Sequence, residues 1–110
     1  MGIQNWSDDI VLVKLAKEPE MGNELLTTID MVKQKDSCGV VVDFSDIDIM
    51  SSSSIAKLLK LRKTLVDCGG GLIFCGVSVN TMQIFSITGL EKVFKFADDQ
   101  FVALASLQMV

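Results

Sequence analysis

Residues 39–44, GVVVDF, constrain the fold more than any other part of this chain. The run is β-branched, apolar and too short for a helix. It has no polar alternation, so it reads as a strand buried on both faces, the kind found inside a parallel sheet. Residues 72–76, LIFCG, repeat that pattern. Between them lies a helix-periodic segment. Ile55, Leu58, Leu59, Leu65 and Val66 follow helical spacing, with Arg62 on the same face and its aliphatic stem free to lie along apolar surface. Strand, helix and strand of this kind make a βαβ unit with a helical crossover.

The rest of the chain extends this unit. Residues 10–15, IVLVKL, are expected to form a strand, with residues 3–6 pairing to it as a hairpin. The segment Lys17-Glu18-Pro19-Glu20 ends that strand, because proline cannot donate to a ladder. A helix fits residues 22–35, with Leu25, Leu26, Ile29 and Val32 inward and Lys33 and Lys35 in its last turn. The periodic helix after residue 50 should stop at Gly69-Gly70-Gly71, where glycine can take the left-handed conformation. Ser78 can cap a short helix over residues 79–87 that ends at Gly89. Residues 93–96 read as a last strand. Asp98 can then cap a final helix with Phe101, Leu104 and Ala105 inward. The expected architecture is a single α/β domain over residues 1–110. It has a mainly parallel mixed sheet of four to five strands and about four helices.

Composition removes several function classes. The 110 residues are 49% apolar and 22% charged, as in a globular domain with one real core. No apolar run approaches the ~20 residues of a membrane helix, and the start, MGIQNWSDD, lacks the regions of a signal peptide. No direct membrane insertion is expected. The net charge is −4, and the bases gather only at Lys57, Lys60, Arg62 and Lys63, a spacing that suits a solvated helix side. Nucleic acid is therefore not an expected partner. Cys38, Cys68 and Cys75 are odd in number, form no CxxC and sit beside apolar or glycine neighbours, so they read as reduced residues of a cytoplasmic protein. Histidine is absent, which removes histidine-based nucleophile systems and, with cysteines at the wrong spacing, leaves zinc without a usual ligand set. No metal and no other cofactor is expected, and the chain is not expected to be an enzyme.

The functional candidates follow the central strand. In open α/β sheets, sites collect beyond the carboxyl ends of strands. Here that loop leads into four consecutive serines, Ser51, Ser52, Ser53 and Ser54. Serine is a favoured helix N-cap, and the pattern leaves open which of the four caps. The same hydroxyls are candidate phosphoacceptors, since a helix N-terminus tolerates added negative charge. The alternation Asp46-Ile47-Asp48-Ile49 suggests outward acids and inward isoleucines on an extended segment. Carboxylates at Asp43, Asp46 and Asp48 could instead hold a cation, the basis of a weaker reading as a small nucleotide-binding or carboxylate-based enzyme domain. The short helix with Met82, Phe85 and Ile87 could present apolar residues to a partner, but such a stripe is more often core.

The segment DFSDIDIMSSSSIAKLLKLRKTL, followed by GGGLIFCGVSVNTMQIFSITGLEKVFKF, resembles the STAS domain of sulfate transporters and anti-sigma factor antagonists. The likeness runs from about Ile10 to about Leu107. In free-standing bacterial members it implies a partner-switching cycle. The antagonist binds an anti-sigma factor that is also a serine kinase of the histidine-kinase-like ATPase type. Phosphorylation of one serine breaks the complex, and a metal-dependent phosphatase restores it. Set on the family segment hydrophobic-Asp-Ser-Ser-Gly-hydrophobic, Met50 is the first hydrophobic and Ser52 the implied phosphoacceptor. Ser51 stands for the Asp, Ser53 for the second serine, Ser54 for the Gly and Ile55 for the next hydrophobic. Further upstream, Lys17-Glu18-Pro19-Glu20 stands in the place of a Gly-Glu-hydrophobic-Asp segment of the family, where Glu20 keeps the acid and the glycine is lost. Ser51, Ser53, Ser54, Asp46, Asp48 and Glu20 form the implied partner-binding surface. An unswitched STAS scaffold or transporter accessory subunit is the alternative.

Overall fold

The computed structural model describes residues 2–34 and 39–108. Strands β1 (Ile3–Asn5) and β2 (Ile10–Lys14) form the expected hairpin. Helix α1 (Glu20–Lys33) leads to strand β3 (Gly39–Asp43), and helix α2 (Ser52–Asp67) leads to strand β4 (Leu72–Cys75). Helix α3 (Val79–Ile87) and a 3₁₀ turn (Leu90–Lys92) precede strand β5 (Lys95–Ala97), and helix α4 (Gln100–Gln108) follows it. The sheet order is β1-β2-β3-β4-β5. Among the described residues, only the β1–β2 pair is antiparallel.

Strand alternation sorts the apolar residues into two layers. Val11, Val13, Val40, Val42 and Phe74 face the larger core, with Leu25, Ile29 and Val32 of α1, Leu58, Leu61 and Leu65 of α2, and Phe85 of α3. Leu12, Val41, Ile73 and Cys75 face the other way and are covered by Ala103, Leu104 and Leu107 of α4. The larger core ends in an aromatic cluster. The Phe74 ring lies 4.8 Å from Phe44, 5.8 Å from Phe85 and 4.5 Å from Phe94.

Local rules set the element ends. Gly69 closes α2 at φ +75°. Its N–H donates to Val66, and that of Gly70 donates to Leu65 at 2.7 Å, a Schellman arrangement in which glycine accepts the left-handed backbone without strain. Ser78 caps α3 as expected, accepting from the Thr81 N–H at 3.2 Å.

Several expected faces are rotated. In α2 the buried stripe is Ser54, Leu58, Leu61 and Leu65, while Leu59 is partly exposed and Val66 is 58% exposed. The two stripes share Leu58 and Leu65, and packing against both α1 and the sheet selects Leu61. Arg62 is exposed, its Nε donating to the Val93 carbonyl at 3.2 Å. In α1, Leu26 is exposed by 40%, and Met21 takes its place inside. That helix begins at Glu20, and the expected end at Lys35 lies outside the described residues, as does Cys38. In α4, Phe101 is 79% exposed and Ala103 is buried, because the helix lies close enough to the sheet that a small residue must face it. Its first turn is capped by Asp99 rather than Asp98, with the Val102 N–H donating to Asp99 Oδ1 at 2.9 Å. The last strand starts at Lys95, not Val93, since the 3₁₀ turn occupies the preceding residues.

The rotation of α2 is testable by denaturant unfolding. Leu61→Ala should cost about 2–5 kcal/mol. Val66→Ala, on the solvent side, should cost well under about 1 kcal/mol.

Candidate functional site

The serine loop is positioned by three anchors. The first is apolar. Phe44, Ile47 and Met50 are buried in the main core, and the Ile47 N–H donates to the Phe44 carbonyl at 2.9 Å, so the chain turns directly after β3. The second is α3. Thr81 Oγ1 donates to the Ile47 carbonyl at 3.0 Å, and Ser78 Oγ reaches the same oxygen at 3.4 Å. The third is Glu18, in the connection between β2 and α1. Its Oε2 accepts from the Ser51 N–H at 2.7 Å and from the Ser54 hydroxyl at 2.8 Å.

These anchors give the four serines different environments. Ser51 is the N-cap of α2, its Oγ accepting from the Ser54 N–H at 3.1 Å. Ser54 is buried, and its hydroxyl joins a chain in which Ser51 Oγ donates to Ser54 Oγ at 3.2 Å and Ser54 donates onward to Glu18. A buried hydroxyl without a partner would cost roughly 1–3 kcal/mol, and Glu18 removes that penalty. Ser53 is exposed and accepts from Lys57 Nζ at 3.2 Å, an i,i+4 contact on one helix face. Ser52 is the first residue of α2. It is exposed, and its hydroxyl makes no hydrogen bond among the described residues.

Burial pushes the Glu18 pKa up, but the bonds from Ser51 and Ser54, helped by the charge of Lys57, outweigh it. The carboxyl is held below its ordinary value. Room for Lys57 comes from α1, where a Cβ on Gly22 would stand 2.8 Å from Lys57 Nζ.

The acids of the expected surface have separate roles. Asp46 and Asp48 are exposed. Asp46 lies 3.8 Å from Lys14 Nζ, with both side chains more than half exposed, a pair worth little in water. Glu20 is exposed as the first residue of α1. The acid that touches the serines is Glu18, from the stretch that ends β2 and stands in the place of the family's Gly-Glu-hydrophobic-Asp segment, whereas the expected acid of the partner surface was Glu20. The Glu18 pairing spans two elements and leaves no local pattern. Ile47 points inward, whereas Ile49 is 76% exposed, because the turn after Phe44 breaks the extended alternation. Asp43 is buried and satisfied internally, accepting from the Ser45 N–H at 2.8 Å and from Gln100 Nε2 at 2.6 Å. No group of three metal-ligating side chains occurs among the described residues. Cys75 is buried, and burial, with the charges of Asp43 and Asp99, pushes its thiol pKa up to about 12.

This arrangement presents a free hydroxyl, Ser52, on a rigid exposed helix start at the carboxyl end of the central strand. The sequence profile of the STAS domain matches residues 11–100. The chain belongs to the STAS domain family. It is 25% identical over 97 residues to BtrV of Bordetella bronchiseptica, which carries the name of an anti-sigma factor antagonist, covering 88% of this chain and 80% of that protein. Its fold matches an anti-sigma-factor antagonist (STAS) domain protein from Planctomyces limnophilus with a TM-score of 0.81, at 16% identity and 96% coverage of both chains. It also matches the anti-sigma factor antagonist SpoIIAA in its unphosphorylated form, with a TM-score of 0.83 at 14% identity, covering 98% of this chain and 96% of the other. The Bacillus cell fate determinant SpoIIAA in its phosphorylated form matches with a TM-score of 0.70 at 16% identity, covering 91% and 93%. No helix among the described residues is long and apolar enough to cross a membrane.

Two measurements test the site. Ser51→Ala removes the cap of α2 and should cost about 1 kcal/mol in denaturant unfolding. The second concerns Glu18, whose pKa is lower folded than unfolded. Its contribution is present above the ordinary glutamate pKa and is lost as pH falls through the folded value. Thermal unfolding from pH 6 down to about 3 should therefore lose stability more steeply in wild type than in Glu18→Gln.

Proposed function

We propose that this STAS domain is an anti-sigma factor antagonist of a partner-switching pathway. Its binding to a serine kinase of the histidine-kinase-like ATPase type is controlled by phosphorylation at Ser52. The observation that carries this reading is the sorting of the serines. Ser51 and Ser54 are committed to the helix cap and to Glu18, Ser53 is paired with Lys57, and Ser52 alone of the four offers an exposed, unbonded hydroxyl. The likeness to SpoIIAA, known in phosphorylated and unphosphorylated forms, supports it.

The energetics favour a switch. The kinase transfers the γ-phosphoryl group of ATP to Ser52 Oγ. The new O–P bond replaces the serine O–H, the β,γ-bridging O–P bond breaks, and ADP and a proton leave. The product carries about −1.5 to −2 charges. The positive end of the α2 dipole offsets part of that, by about 0.3–1 kcal/mol, so the fold tolerates it. A partner pressed on the same spot must desolvate the phosphate, at a cost of several kcal/mol. Every 1.4 kcal/mol is about a factor of ten in affinity. A metal-dependent phosphatase would hydrolyse the ester and restore the complex. In this cycle the chain is a ligand and a kinase substrate in the cytoplasm, and it catalyses nothing.

Affinity capture from the native lysate, read by mass spectrometry, tests this. Wild type and Ser52→Ala should both retain a kinase-like ATPase, and Ser52→Asp should retain at least about tenfold less. Incubation with ATP and the captured kinase should phosphorylate wild type but not Ser52→Ala. The same partners on wild type and Ser52→Asp, with no such kinase, would sink the switch and leave the scaffold reading.

A further inference from the structure

A phosphate on Ser52 would not be the first anion at its end of α2. The Glu18 carboxylate already holds the Ser51 N–H at 2.7 Å and the Ser54 hydroxyl at 2.8 Å, on the residues flanking the helix start. Both serines belong to α2 or its cap, whereas Glu18 comes from the separate connection between β2 and α1. Lys57 supplies positive charge to this cluster. Lys57 Nζ lies 3.2 Å from Ser53 Oγ and also acts on the Glu18 charge.

We propose that Glu18 is a latch that phosphorylation of Ser52 opens. The inference rests on Ser52 being the modified residue. Consecutive Cα atoms stand about 3.8 Å apart, so a phosphate on Ser52 falls within roughly 5–9 Å of a carboxylate bonded to the Ser51 amide. That is about one Debye length or less at physiological salt, so the repulsion is only partly screened. The phosphate carries more charge than Glu18 and is covalently fixed to α2. It competes for Lys57 and for the positive end of the helix from a position it cannot leave. Glu18 is joined to α2 only through hydrogen bonds, so it is the anion that yields.

Opening the latch links two surfaces. Glu18 lies next to Pro19, the N-cap of α1, and two residues before the exposed Glu20. The Met21 N–H donates to the Lys17 carbonyl at 3.2 Å, which ties this connection to the start of α1. A phosphate on α2 is thereby read out at Glu20 and the β2–α1 connection as well as at Ser52. The partner meets a changed shape together with an added charge.

A double-mutant cycle tests the latch without any partner. Wild type, Ser52→Asp, Glu18→Gln and the double variant are compared by thermal unfolding at pH 7, with hydrogen exchange at the Ser51 amide. The Ser52→Asp change should lower Tm by about 3–6 °C when Glu18 is present and by less than about 1 °C in Glu18→Gln. Ser51 amide exchange should speed up at least about tenfold on adding Ser52→Asp to wild type, and should not change when it is added to Glu18→Gln. If Glu18→Gln does not fold, Ser54→Ala serves as the second background, because it removes one of the two donors and should shrink the shift. Equal Tm shifts in both backgrounds, or an unchanged Ser51 amide in wild type, would overturn the proposal. The partner capture described above decides the switch separately. Equal shifts with partner loss would remove the latch and keep the switch, and coupled shifts with the partner retained would do the reverse.

Discussion

The parallel pairing of β3 with both neighbours is the constraint on which the structure depends. Val40, Val41 and Val42 are fully buried, and each of their side chains enters one of the two cores. Parallel neighbours cannot be joined by a tight turn, so the chain must cross over through helices. That places α1 and α2 on one face, leaves α4 to cover the other, and sends every loop that follows a parallel strand to the same end of the sheet. The serine loop sits at that end because β3 delivers it there.

Burial then turns a loop into a rigid site. Phe44, Ile47 and Met50 belong to the same core as α1 and α2, so the segment between β3 and α2 is fixed by hydrophobic contact. Polar contacts refine the geometry. Thr81 holds the Ile47 carbonyl, and Glu18 holds the start of α2. Ser52 stands exposed on a frame tied to the main core, to α3 and to the β2–α1 connection. Each of the two departures from the family segment has a structural role here. Ser51 supplies the cap, and the hydroxyl of Ser54 is met by Glu18.

The fold was legible in the sequence because its signals are local. Short β-branched runs, glycine stops and serine caps reflect backbone preferences that act over a few residues. The misread positions were those decided by neighbours far along the chain. Leu59 and Val66 are as apolar as Leu61, and only the closeness of α1 and the sheet chooses between them. Phe101 is larger and more apolar than Ala103, yet α4 sits too near the sheet to turn an aromatic inward. Ile49 follows Ile47 in an alternating run, but a turn that satisfies the Phe44 carbonyl ends the alternation.

The candidate site divides in the same way. By itself the sequence determined that four hydroxyls would stand at the start of a helix after a buried strand, and the family resemblance pointed to the second of them. Those four side chains are chemically identical, and no local rule ranks them beyond a general preference for serine as a cap. Only the tertiary structure decided which hydroxyl caps, which is buried, which pairs with a lysine and which is free. The physical reason is that hydrogen-bond partners are supplied by proximity in space. Glu18 lies far before the serines in the chain and meets them only because the sheet brings the end of β2 beside the end of β3.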